Sequence, residues 1–226
     1  MTEPATDRRV MRPNRASVRL ASGAAHQINN ILTVVGGHAS VLLEDLPADH
    51  PARPSIEAIS QASHSGTALT NQLLAYSGQL ENNPVEVELH GLLTQSTASL
   101  DLDAPGSWAT DLPRVVVDPS RFAEVMNSIA TFGRRLLKGR GQIGLSTGLG
   151  RGGDRVFVRL VVNGPDLEPF VHGHAFEPFG TTAFVEQADG MLLPAAWGTV
   201  RQWGGNLWVE PGPDGLTFAF SVPVVG

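Results

Sequence analysis

Cysteine is absent from the 226 residues. That excludes disulfides and thiol chemistry, and agrees with a reducing compartment. Basic charge is scarce too: 16 Lys and Arg stand against 22 Asp and Glu, a net charge of -6. No basic patch for a nucleic-acid backbone is expected, and no charged run is long enough to form a tail. No apolar run approaches the roughly 20 residues of a membrane helix, and the opening MTEPATDRRVMRPNR lacks the apolar core of a secretory leader. The expectation is a cytoplasmic chain without a membrane span, with residues 1–14 as a loose lead-in. At 42% hydrophobic and 17% charged the composition suits a folded protein, of one large domain or two small ones.

The stretch GAAHQINNILTVVGGHASVLLEDL, residues 23–46, carries the strongest pattern. On a helix, His26, Asn29, Asn30 and Thr33 fall at i, i+3, i+4 and i+7 and share a face. Ala24, Ile28, Ile31, Leu32, Val35, Ala39 and Leu42 form an apolar seam beside it. A helix made only for burial has no need of the polar stripe. Residues 15–46 are expected to form this helix, with Gly23, Gly36 and Gly37 each costing about 1 kcal/mol unless they allow close helix approach. The link PADHPARP leads to a second helix over 55–80, capped by Ser55, with Ile56, Ile59, Ser63, Gly66, Leu69, Leu73 and Tyr76 at helical spacing. One hairpin buries too little, so a homodimeric four-helix bundle is expected.

Residues 81–226 change character. VEVELHGLLTQSTASL reads as strand then helix, and RVVVD, 114–118, as a buried-type strand. PSRFAEVMNSIATFGRRLL, 119–137, reads as a helix with Asp118 before it and Pro119 in its first turn. Strands are expected at 141–149 and 155–163 around a glycine-rich hairpin, a helix at 194–205, and two strands in 206–224 around the PGPDG turn. The fold class is α+β: a helical hairpin, then an α/β sandwich with one mixed sheet and helices on one face.

These segments, in this order, resemble sensor histidine kinases of two-component systems. GAAHQINNILTVVGGHASVLLEDLP and ALTNQLLAYSGQ look like the dimerisation helices. RVVVDPSRFAEVMNSIATFGRRLL, HAFEPFGTT and AWGTVRQWGGNLWVEPGPDGLTFAFSVP look like the ATP-binding domain. The resemblance implies that His26 is the phosphoacceptor, with Asn30 matching the family's Thr or Asn four residues on. Gln27 stands where the family has an acid that polarises the imidazole, and an amide cannot accept its proton. Three nucleotide-binding elements also depart from the family. Phe132 aligns with the asparagine that holds magnesium and triphosphate, with Asn127 out of register. Asn163-Gly164-Pro165 replaces the turn whose aspartate reads adenine. In the glycine turn at the phosphates Gly190 remains, while Ala188 and Leu192 replace glycines and Leu193 and Pro194 follow.

The chain therefore also resembles dimeric histidine phosphotransferases, which have a kinase-like core, have lost nucleotide binding, and relay phosphate between receiver-domain aspartates. That resemblance implies a response-regulator receiver as partner, no bound nucleotide or metal, and no sensor domain. The alternatives are a divergent ATP-dependent histidine kinase, which would use Asn127 or Asn163, and a silent adaptor that docks a response regulator. His38, His50, His64 and His90 read as surface or packing residues. His172 and His174 lack a third metal ligand. Arg134 and Arg135 read as a solvated face. Phe176, Phe179, Trp197, Trp203 and Trp208 read as packing aromatics, and Val34, Val35, Val41, Leu42 and Leu43 as bundle core, any exposed members being a docking patch.

Overall fold

The computed structural model describes residues 15–98, 100, 102, 111–165, 167, 175–181, 189–212 and 215–225. The chain divides between Leu80 and Glu81 into two compact units. The expected lead-in 1–14, His172, His174, Ala188 and the centre of the PGPDG turn lie outside the described residues.

The first unit is an antiparallel hairpin of α1 (Arg15–Asp45) and α2 (Arg53–Tyr76). Ser55 does not cap α2. The helix starts two residues earlier, after Ala52, with Pro54 in its first turn and no side-chain cap; proline needs no N–H there. Arg53 closes the other helix instead, donating from Nη1 to the Leu43 and Leu46 carbonyls, both at 3.0 Å. These are end-of-helix carbonyls that otherwise lack partners.

Small and polar side chains dominate the hairpin interior. Ala25, Ala39, Ser63, Thr70, Leu74 and Ala75 are buried. Gly36 brings α1 against Ser63, whose Oγ would lie 2.9 Å from an added Cβ, and Gly66 receives Leu32 in the same way at 2.8 Å. Gly23 and Gly37 face open space, so close approach explains Gly36 alone among the three α1 glycines. Most of the expected seam is not buried within one chain: Ile28, Ile31, Val35 and Leu42 are exposed, Ile31 by 62%.

The second unit contains β1 (Val85–Val87), α3 (Leu89–Ala98), β2 (Val115–Val117), α4 (Pro119–Leu137), β3 (Gln142–Leu149), β4 (Arg155–Asn163), α5 (Leu192–Gln202), β5 (Asn206–Gly212) and β6 (Gly215–Pro223). The sheet is not mixed. β3-β4-β6-β5 pair antiparallel throughout, and β1 and β2 form a separate antiparallel pair. The Val115–Val224 bridge ties β2 to the residue after β6. β2 alternates rather than burying whole: Val115 and Val117 are sealed while Val116 is 41% exposed.

Helices α4 and α5 cover one sheet face. Phe122 meets Phe220 edge-on and stacks on Trp203, and Phe132 meets Phe218 edge-on. Gly133 lets α4 onto β3 and β4, since an added Cβ would fall 2.9 Å from Val162 and 3.2 Å from Ile143. On the opposite face Trp208 packs edge-on against Phe157, with Arg159 over the Phe157 ring.

Candidate functional site

His26, Gln27 and Asn30 lie on the exposed surface of α1. Asn29 departs from the shared polar face. It is half-buried and turned to α2, where its Nδ2 donates to Asn71 Oδ1 at 2.8 Å and its Oδ1 accepts from the Thr70 hydroxyl. Its carbonyl also accepts from the Thr33 hydroxyl at 2.8 Å. The outward polar surface is thus His26, Gln27, Asn30 and Thr33. Thr70 and Asn71 were not singled out from sequence. Their signal was weak: two polar residues in the second helix, whose partner face is set only when the helices pair.

The region matching the nucleotide-binding site has a different character. Phe132 is fully buried and packs edge-on to Phe218, ring centroids 5.8 Å apart. It offers no oxygen to a cation. Asn127, one and a half turns earlier, is exposed, as is Asn163 at the end of β4. Gly190 is buried, and its carbonyl accepts the Phe179 N–H at 3.0 Å. Met191 and Leu193 are sealed, and Pro194 is buried in the first turn of α5. The helix begins at Leu192, two residues before the expected start, and Met191 gives no side-chain cap. A triphosphate–magnesium group needs cation-ligating oxygens on α4 and an open glycine turn before α5. An aromatic core residue and an apolar turn hold those places, so the described residues there do not fit it.

Charge around this region is used internally. Arg135, read from sequence as a solvated face, pairs with Asp189 at 2.9 Å. That contact joins the end of α4 to the segment before α5. Asp118 caps α4, accepting from the backbone N–H groups of Ser120 and Arg121 and from the Ser120 hydroxyl. Its other oxygen accepts the Asn83 N–H at 2.8 Å. Burial opposes its ionisation, but the Ser120 hydroxyl and the three N–H groups outweigh burial and hold the carboxyl below the usual carboxylate range.

The remaining candidates sort simply. His38, His50 and His64 are exposed and His90 is half-buried. Among the described residues no group of three or more His, Asp or Glu is placed to hold a metal. Trp197 and Trp203 are buried, as expected, and the Trp203 indole donates to Asn82 Oδ1 at 3.1 Å. Phe179 differs from a packing aromatic: it is 42% exposed and its backbone is left-handed, φ 60°. Val34, Val35, Val41 and Leu42 are exposed and Leu43 half-buried.

Residues 16–79 match the His Kinase A (phospho-acceptor) domain. Over 225 residues the chain is 28% identical to the sensor kinase CckA of Brucella abortus, covering 91% of this chain and 24% of that protein. Its fold superposes on full-length ShkA, solved in complex with AMPPNP, with a TM-score of 0.71 at 22% identity, over 92% of this chain and 46% of that one. The chain has a histidine-kinase-like core. Other likenesses run the same way. The sensor histidine kinase ZraS of Klebsiella oxytoca is 26% identical over 223 residues, covering 92% of this chain and 46% of that protein. Histidine kinase ThkA, solved in complex with response regulator protein TrrA, matches with a TM-score of 0.58 at 20% identity, over 93% of this chain and 63% of that one. The kinase-like core spans from about a quarter to a half of the curated relatives' length. Its matched helical part is the α1–α2 hairpin carrying His26. Among the described residues no helix is long and apolar enough to cross a membrane.

Proposed function

We propose that this chain is a dimeric histidine phosphotransfer module of a two-component pathway, working in the cytoplasm. It moves a phosphoryl group between receiver-domain aspartates through His26 without using ATP. The comparisons support the broader statement, a two-component function of the histidine-kinase type. The narrower one is carried by Phe132, sealed against Phe218 where a nucleotide-binding core needs a cation-ligating side chain.

Neutral imidazole is a good nucleophile near neutral pH. In the proposed step a ring nitrogen of His26 attacks the phosphorus of a receiver's aspartyl phosphate. The N–P bond forms as the aspartate oxygen–phosphorus bond breaks, and the carboxylate leaves with the electron pair. The proton on the other ring nitrogen passes to water. The reverse reaction delivers the group to a second receiver. Such transfer depends mainly on in-line positioning and charge stabilisation. Gln27 and Asn30, exposed beside His26, are assigned to orient the incoming group by hydrogen bonding. The exposed Ile28, Ile31, Val35 and Leu42 are assigned to the seam with a second copy, giving the four-helix bundle.

A divergent ATP-dependent sensor kinase is the second reading, favoured by the likeness to the sensor kinase CckA and the sensor histidine kinase ZraS. Two labelled-phosphate assays decide. One supplies ATP and magnesium, the other receiver domains phosphorylated with acetyl phosphate. Label reaching the chain from a receiver only, and absent in His26→Ala, supports the phosphotransfer reading. Label from ATP alone overturns it in favour of the kinase. No label from either, with His26→Ala cells behaving as wild type, leaves the adaptor.

A further inference from the structure

The side chain most firmly attached across the hairpin near His26 is Asn29, three residues on. Around a helix these two positions are about 60° apart. Whatever fixes the direction of Asn29 therefore fixes the direction of His26. Asn29 holds two α2 side chains at once, donating to Asn71 Oδ1 at 2.8 Å and accepting from Thr70 Oγ1. Thr70 is itself buried and lies within reach of the Gly66 and Thr67 carbonyls at 3.1 Å and 3.0 Å. Its one hydroxyl proton serves one of these acceptors at a time, so the bond to Asn29 Oδ1 is made in competition with the two carbonyls.

Apolar packing is a poor device for this task here. Around the clamp the buried interior offers Ala25, Leu74 and Ala75, with Leu32 seated on Gly66 a turn away, contacts less directional than hydrogen bonds. Hydrogen bonds between amides are directional, and a polar contact in a partly buried seam penalises any rotation that leaves it unmade. A single polar residue in a helical seam can set its register in this way.

We propose that Asn29, Thr70 and Asn71 form a polar clamp that sets the rotation of α1, and so aims His26 at a protein-bound phosphoryl group. This inference rests on the phosphotransfer reading above. Asn29 is a positioning residue here: it acts through His26 and needs no contact with the phosphoryl group. The clamp is demanded by an in-line reaction with a docked receiver, whose phosphorus approaches from one direction. A small, freely tumbling donor has no such requirement.

That difference supplies the test. The full chain and the variants Asn29→Ala, Asn71→Ala and Asn71→Asp are phosphorylated at His26 in two ways. One donor is potassium phosphoramidate, a small molecule. The other is a panel of receiver domains phosphorylated with acetyl phosphate. With phosphoramidate all four proteins label at the same rate, because His26 stays exposed. With a receiver that labels the wild type, Asn29→Ala and Asn71→Ala lose about tenfold or more in the transfer rate at saturating receiver. The half-saturating receiver concentration stays unchanged. Asn71→Asp keeps the acceptor oxygen and restores wild-type transfer. The double variant Asn29→Ala/Asn71→Ala is no slower than either single, as expected when both remove one interaction.

Equal loss with both donors would mean disturbed folding and would overturn the clamp. Unchanged saturating transfer in Asn29→Ala would overturn it too, as would failure of Asn71→Asp to rescue. A wild type that labels from phosphoramidate and from no receiver would instead overturn the phosphotransfer reading on which the clamp rests.

Discussion

Asp118 accepts four hydrogen bonds, three of them from backbone N–H groups at the start of α4 and from Asn83. Its carboxyl is depressed in the folded state, so its stabilising effect is complete above the unfolded value of 3.8 and is lost as pH falls through the lower folded value. Asp118→Ala should cost about 1–2 kcal/mol at neutral pH. In urea unfolding, the gap between variant and wild type should begin to narrow below pH 3.8 and close only as the pH passes the lower folded value. Phe132 makes a different prediction. Truncation to Ala should cost about 3–5 kcal/mol, as for other buried aromatics. Phe132→Asn should destabilise comparably, since its amide would be buried against the Phe218 ring without hydrogen-bond partners. Thermal unfolding with and without ATP and magnesium should show no nucleotide-dependent rise in either the wild type or Phe132→Asn. The substitution at 132 was legible in the sequence because α4 has clear caps at Asp118 and Pro119 to count from. The direction of Asn29 was not: a residue on the flank of a polar stripe turns outward or inward according to where the second helix lies, and no periodicity within α1 contains that information.

At the scale of elements, two adjacent glycines on α1 make opposite predictions. Gly36→Ala would place a Cβ 2.9 Å from Ser63 Oγ, which itself donates to the Leu32 carbonyl at 2.6 Å. The gain of about 1 kcal/mol in helix propensity is then offset by overpacking of about 1–3 kcal/mol, and the hairpin should lose stability. Gly37→Ala meets open space and should gain up to about 1 kcal/mol. Circular dichroism at 222 nm during thermal unfolding distinguishes the two. Helix and strand positions in the second unit were readable from spacing and turn residues, as the 119–137 and 155–163 segments show. Strand direction was readable within the two hairpins, but the neighbour relation between them was not: β4 pairs with β6 and the sheet is antiparallel throughout, where a mixed sheet is the sequence expectation. Phe157 on the outer face is covered by Trp208 and Arg159, so β4 is sheltered on both sides.

At the scale of the whole molecule, the hairpin's own interior is small, and many of the large apolar residues of α1 are exposed. Ile31 and Val34 are 62% and 59% exposed; the sequence places Ile31 in the apolar seam and Val34 in the bundle core, and both are left for the expected second hairpin to cover. Ile31→Glu should convert the proposed dimer to monomer, read by analytical ultracentrifugation, while leaving phosphoramidate labelling of His26 possible.

The Gly36–Ser63 and Gly66–Leu32 contacts have a thermodynamic consequence. Helices that meet through glycine, serine and alanine remove little hydrocarbon from water, and each hairpin alone lacks the driving force to hold its shape. In the proposed dimer, ordering of α1 and α2 and pairing of two chains then become one event, governed by mass action. The melting temperature of the helical signal should climb with protein concentration, while the transition of the α/β unit, followed by Trp203 and Trp208 fluorescence, should stay where it is.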